Sequence, residues 1–472
     1  MRDTANPLLS RGFEPIRFES DYAGLTIEGR IPAELRGTLY RIGPNPQFHP
    51  RGTYNPLQGD GMVHAFHVGD GRVAYRNRWV RTQQWLKERQ AGRALFATSG
   101  NPADADPSVA GAATDGVANT NLVWHAGKLL ALEEGHAPIR IDPVTLDTLG
   151  PWRFDGRLAS NMTAHPKLDP ESGEMLFFAN FPNRRFDGAL AFYVADASGN
   201  IVRAETIAGP FPALVHDFVV TRDHLVFVVC PVTLSLDRLR AGRSPIAWEA
   251  DRGAHVGVMP RRGSGNEIRW YPAPSCMAWH FMNAFDDGDD LLIDLCQQAA
   301  PAFPTPDGAM APTADLRQYL TRWHVTEGHV TPGQTPFSTS SRLSEVVCEY
   351  PRIDERRAGL RYRHGFVAGV GGPGTDDAFQ RAIGHFDHER GEMQLWHAGS
   401  TCAVSEPIFV PRAPDAPEGD GYLLATVYDE RRNASHLVVL DAAKVAEGPI
   451  ARAYLDHRVP MGFHGTWRDA PS

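Results

Sequence analysis

The chain alternates short apolar runs with turn residues. Ala65-Phe66-His67-Val68, then Gly69-Asp70-Gly71, then Arg72-Val73-Ala74-Tyr75 reads as strand, tight turn and strand, the pattern of a hairpin. The pattern recurs at Lys128–Leu149, Glu174–Ile201, His224–Val232, Ile383–Trp396 and Tyr422–Leu440, across almost the whole length, and 45 glycines and 37 prolines punctuate it. Amphipathic periodicity is scarce, and short helices are predicted around Gln83–Gln90, Leu234–Arg240 and Ala442–Glu447. The fold class is therefore all-β with helical insertions. Many short strands, without a Gly/Ser linker or a change of composition, favour a β-propeller over a string of sandwiches. The repeat is too degenerate to give the number of blades. The proline-rich stretches Ala299–Pro312 and Pro407–Pro417 are predicted as long loops, candidates for a lid or rim around a site.

Composition narrows the partners. A chain of 472 residues that is 42% hydrophobic can bury a large core, as several domains or as one repetitive domain over 1–472. The net charge of −9, with no run of like charge, speaks against a nucleic-acid partner and for a small or neutral substrate. Cys230, Cys276, Cys296, Cys348 and Cys402 are odd in number, lack any Cys-x-x-Cys spacing and sit mostly in apolar runs, so reduced core residues are expected. Met1–Pro7 lacks an apolar segment with a cleavage site, and no stretch approaches the roughly 18 apolar residues of a membrane helix. A cytoplasmic location is expected; peripheral contact between an apolar rim and a bilayer needs no such helix.

Four of the 19 histidines fall in separate strand-like segments: His165, His216, His280 and His464. They are too far apart for a local zinc knuckle, so a shared metal requires a closed fold to gather them. One such histidine alone is more often a satisfied core or surface residue. A propeller changes the weighing, because the inner ends of several blades point to one axis. Imidazole suits Fe, Cu, Zn or Ni, and a ligating ring normally donates its other N–H to a carboxylate or carbonyl. Glu134, Glu349 and Glu406 adjoin apolar runs where a solvated acid is unexpected, although each alone could be an edge-strand acid facing water. Two other classes compete: a propeller hydrolase or lactonase using Ca²⁺ or Zn²⁺, and a non-catalytic binding propeller. The imidazole donors speak against calcium, which takes oxygen ligands.

Eight ordered segments then carry a resemblance: Gly37–Pro46, Gly59–His64, Asn119–Asn121, Ala164–Pro166, Val215–Asp217, His280–Phe285, Glu349–Asp354 and Gly462–Gly465. Together they resemble the carotenoid cleavage oxygenases, from about residue 20 to the end of the chain. The resemblance implies a single domain over 1–472, a seven-bladed β-propeller with short helices and loops forming a dome over one face. It also implies a non-haem Fe(2+) held by His165, His216, His280 and His464, and scission of a conjugated C=C bond by O₂ to two carbonyl products. Glu134, Glu349 and Glu406 fall on the positions that orient His216, His280 and His464, and Thr120 on one whose methyl crowds an open coordination site.

Asp106–Val109, Pro414–Gly421 and Gly448–Ala453 are similar to the bacterial stilbene-cleaving branch. Where that branch contacts a phenol with tyrosine and lysine, this chain has Ser99 and Glu133, and Leu57 replaces an aromatic residue. A carboxylate repels a phenolate that an ammonium would stabilise. An apolar polyene of apocarotenoid type is therefore the expected substrate, with stilbenoids or vinyl phenols as the alternative. Phe96, Trp279, Phe281 and Phe285 are candidate lining residues, at least half of them expected in the core.

Overall fold

The computed structural model describes residues 6–99, 101–182, 186–326, 337–370 and 379–470. They form two compact units, Met1–Leu158 with Trp396–Ser472, and Ala159–Leu395. The hairpin expected at 65–75 is present: Gly61–Gly69 pairs with Arg72–Trp79, and Asp70 and Gly71 take φ of 51° and 72°. Two consecutive positive φ values match the twist of a two-residue hairpin turn.

The first unit holds three antiparallel sheets. Asn121–His125, Lys128–Leu132, Ile139–Ile141 and Thr148–Pro151 form a plain four-stranded meander. The other two join the two ends of the chain. Gly37–Pro44 pairs on one side with Gly61–Gly69 and on the other with Gly465–Asp469, while Thr26–Gly29 pairs with Pro449–Tyr454. The chain ends cross closely here: a Cβ on Gly43 would lie 2.4 Å from the Gly462 Cα, so neither backbone leaves room for a side chain.

The second unit holds two four-stranded meanders, beginning at Lys167–Leu168 and Val219–Val220, and one seven-stranded path from Met277–Asp287 to Glu392–His397. That path is two sheets sharing one strand. Phe337–Ile353 pairs through residues up to Val347 with Tyr319–Thr326, and from Cys348 onward with His364–Gly369. Counted this way, the described residues make seven sheets of at least four strands, the content of seven blades.

Apolar residues from neighbouring sheets fill the layers between them. Phe178, Phe218 and Phe227 are fully buried, with ring centroids 5.3–5.7 Å apart, each burial contributing about 1.5–3 kcal/mol. Cys230, Cys276, Cys296 and Cys348 lie in this core as free thiols, and Cys402 is half-buried.

The α-helix Gln83–Ala91 begins at Thr82, whose Oγ1 accepts from Trp85 N, and ends at Gly92 in the left-handed region. Leu236–Arg240 is shorter than expected because Val232–Leu234 is drawn into a pairing with Ile246–Trp248. Ala442–Glu447 is a 3₁₀ segment broken at Lys444. One expectation is corrected: Pro407–Pro417 is not all loop, since Ile408–Pro411 pairs with Gly421–Leu424 and buries Ile408, Phe409 and Val410. Ala299–Pro312 is irregular as expected. No helix among the described residues is long and apolar enough to cross a membrane.

Candidate metal centre

Three of the four histidines meet within the second unit. His165 lies in the irregular segment before the strand Lys167–Leu168, and His216 in the one before Val219–Val220. His280 sits inside Met277–Asp287 where the register slips: Ala278 faces Gln297 and Phe281 faces Leu295, so Trp279 and His280 share one opposing position. Such a bulge re-aims a side chain that regular alternation would place elsewhere.

The rings converge through their Nε2 atoms. His165 Nε2 is 3.0 Å from His216 Nε2, which is 3.2 Å from His280 Nε2, and all three lie within 4.8 Å of one another. Nitrogens about 2.1 Å from a common ion and at right angles to each other lie about 3.0 Å apart, so the spacing fits adjacent corners of an octahedron. The surroundings fit a cation as well. His280 Nδ1 is 2.7 Å from Glu349 Oε2, which fixes the ring with its Nε2 lone pair toward the other two. Glu349 is buried; among the described residues its Oε1 has no hydrogen-bond partner and its ion pair is with His280, so a cation at the Nε2 atoms would offset its charge.

His464 lies in the first unit, just before the strand Gly465–Asp469. Its Nδ1 is 2.9 Å from Glu406 Oε1, while Glu406 Oε2 accepts from Gly465 N at 2.9 Å. Thr120 is buried; its carbonyl accepts from His464 N, and its hydroxyl donates to Asn119 Oδ1, which sets the direction of its methyl. Glu134 follows the strand Lys128–Leu132 and is half-buried.

Sequence reasoning passed over several supporting groups. Arg41 is buried, 3.8 Å from Glu406 Oε2, and donates to Phe463 O, so it braces both Glu406 and the residue before His464. The signal was an arginine inside the apolar run Leu39-Tyr40-Arg41-Ile42. Tyr350, beside Glu349, stacks on His280 at 5.7 Å and holds a φ of 53°. Thr163 Oγ1 accepts from His165 N and donates to His216 O.

The tentative pocket residues divide. Trp279 packs edge-on against His216 at 4.9 Å and touches Phe303 of the Ala299–Pro312 loop. Phe281 and Phe285 lie in apolar core clusters, Phe285 against Tyr362. Phe96 is half-buried beside Glu88, and Leu57 is 36% exposed. Ser99 donates to Asp104, and Glu133 is held by His136 and by Gly135 N.

Known proteins share this whole arrangement of chain. The family model described as RPE65, retinal pigment epithelial membrane protein, matches residues 13–469. An isoeugenol monooxygenase of Pseudomonas nitroreducens is 38% identical over 99% of this chain and 98% of its own. The crystal structure of the lignostilbene dioxygenase of Pseudomonas brassicacearum superposes with a TM-score of 0.92 at 34% identity, over 98% of this chain and 99% of that one. A Synechocystis apocarotenoid oxygenase variant gives 0.87 at 29% identity over 98% of both. This all-β chain, with the propeller fold expected from its strand pairs and the seven blades expected from the resemblance, therefore belongs to the RPE65 family of carotenoid cleavage oxygenases.

Proposed function

We propose that this chain, acting as one domain over 1–472, uses Fe(2+) and O₂ to cleave a C=C bond of an apolar conjugated substrate to two carbonyl products. The observation that carries this reading is the convergence of His165, His216 and His280 through Nε2 atoms 3.0 and 3.2 Å apart, backed by Glu349. His464 is the fourth ligand in this reading, on the strength of the family motif at Gly462–Gly465 and its own carboxylate partner, Glu406. Neutral imidazoles leave a divalent ion its full charge and open positions, and the bound iron supplies the redox chemistry with O₂. The protein's residues do the rest. Glu349 and Glu406 hold the Nδ1–H tautomers of His280 and His464, Glu134 has the same role toward His216, and Thr120 narrows the space beside the ion. No protein nucleophile or acid/base pair is required.

An apocarotenoid-type polyene is supported by Glu133, whose carboxylate is engaged by His136 and disfavours a phenolate. A second reading, an aryl alkene, is supported by the greater identity to the isoeugenol and lignostilbene enzymes. A neutral phenol could still donate to Glu133, so only the ionised form is repelled. The partners in either case are the small substrate and O₂, with no nucleic acid. A cytoplasmic enzyme with peripheral membrane contact accords with apolar substrates and the lack of a spanning helix among the described residues. Incubating iron-loaded protein with apocarotenals, stilbenes and vinyl phenols, and identifying the aldehydes by mass spectrometry, tests the proposal. Cleavage of an apocarotenal is expected. Cleavage confined to hydroxylated aryl alkenes would select the second reading, and no aldehyde from any class would overturn both.

A further inference from the structure

The three converging histidines sit on irregular backbone, where no complete ladder of strand hydrogen bonds holds them. Something else must set the distances between these segments. One buried side chain reaches all three. Asp217, the residue after His216, is 3% exposed. Its Oδ1 accepts from its neighbour Phe218 N at 2.8 Å and lies 2.7 Å from Lys167 Nζ, two residues beyond His165. Its Oδ2 accepts at 3.1 Å from Phe281 N, the residue after His280 at the slipped register. The bulge that aims His280 thus has an adjoining N–H bound by this carboxylate. Thr163 makes a second and lighter tie between the backbones of His165 and His216.

We propose that Asp217 is a positioning residue for the metal centre, and that Lys167 is its counter-charge. A buried carboxylate adjoining His216 in sequence could turn toward a divalent ion there and compete for it; Lys167 and two backbone N–H groups saturate it and keep it a brace. The lysine also lies 5.8 Å from the Phe218 ring, which confines its ammonium to this place. The inference rests on the metal-dependent reading proposed above. It goes beyond that reading in giving the geometry of the histidines to a residue that touches neither metal nor substrate.

Asp217→Asn is the sharp test. The amide keeps the shape but puts an N–H₂ against at least one of three donors. The full-length protein is stripped of metal, titrated with Co²⁺ alone, and followed by the visible d–d bands, with kcat and KM measured separately on the iron-loaded form. The wild type is expected to bind one Co²⁺ per chain. Asp217→Asn is expected to bind it about 10–100-fold more weakly, as loss of a partner that orients ligands does. Its bands should shift, and kcat should fall at nearly constant KM. Lys167→Met keeps both backbone hydrogen bonds and frees the carboxylate. It is expected to shift the bands as well, and Lys167→Arg to restore them. If Asp217→Asn does not fold, the lysine pair decides alone. Unchanged affinity and bands in every variant that folds, whatever their thermal stability, would overturn the positioning role while leaving the metal-dependent reading intact. A wild type that binds neither Co²⁺ nor iron would overturn that reading as well.

Discussion

The carboxylates behind His280 and His464 look alike in sequence but stand in different electrostatic settings. Glu406 shares its buried site with Arg41, whereas among the described residues the ion pair of Glu349 is with His280. Removing the Glu406 carboxylate takes a counter-charge from a guanidinium that is 3% exposed, and breaking a buried pair of this kind costs about 3–5 kcal/mol. Replacing Glu349 by the amide keeps an acceptor for His280 Nδ1 and Tyr350 N and removes a buried negative charge. Glu406→Gln is therefore expected to lower the unfolding free energy of metal-free protein by several kcal/mol, and Glu349→Gln to leave it unchanged or raised; urea titration with both variants checks this. Asp60 offers a pH signature. Burial first, and then the charge of Glu88, push its carboxyl from the ordinary value of 3.8 up to about 7, against opposing help from Gln47 N–H and Arg17. The folded state then holds a proton that the unfolded chain has released, so stability declines as pH rises from about 4 through about 7. In Asp60→Asn that decline should vanish, leaving a smaller fall in melting temperature between pH 5 and 8 than in the wild type. At this scale the meeting of His165, His216 and His280 and the pairing of Glu349 with His280 and of Glu406 with His464 could be anticipated, because clustered imidazoles and the carboxylates behind them need particular side-chain chemistry. Arg41, Thr163 and Asp217 were not singled out, because they act largely on backbone atoms that sequence does not display.

Among the elements, regular pieces could be read and irregular ones could not. The hairpin at 65–75 and the helix after Thr82 follow from local turn and capping chemistry. The slip at Trp279–His280 and the second one between Glu349 and Arg352, which carries Tyr350 into positive φ, depend on the partner strand and leave no mark in alternation. Yet these slips place His280 and Glu349. Deleting Trp279 would remove the first of the two slips in this strand and re-aim His280 relative to His216. The expected outcome is near-normal β content by circular dichroism with no metal retained after purification. Retention of stoichiometric iron would refute the role of the bulge. The strand inside Pro407–Pro417 was missed for the opposite reason, since flanking prolines outweighed the apolar Ile408-Phe409-Val410.

For the molecule as a whole, a propeller was legible from the recurrence of strand pairs, while the tally of sheets was hidden by a degenerate repeat and by the strand Phe337–Ile353 serving two of them. Nor did the pattern reveal that distant chain ends pair with each other. The strand Gly465–Asp469 covers one edge of Gly37–Pro44, a run whose residues from Leu39 to Pro44 are all buried. Removing residues 465–472 should expose that edge and yield aggregated or protease-sensitive protein, checked by size-exclusion chromatography and limited trypsin digestion. The pairing also orders events during synthesis. A ribosome delivers Gly37–Pro44 long before Gly465–Asp469, and the earlier strand waits unpartnered on that side until the later one has emerged. Because His464 immediately precedes Gly465–Asp469, its pairing with Glu406 forms late as well, and the nascent first unit carries that carboxylate without its imidazole until then.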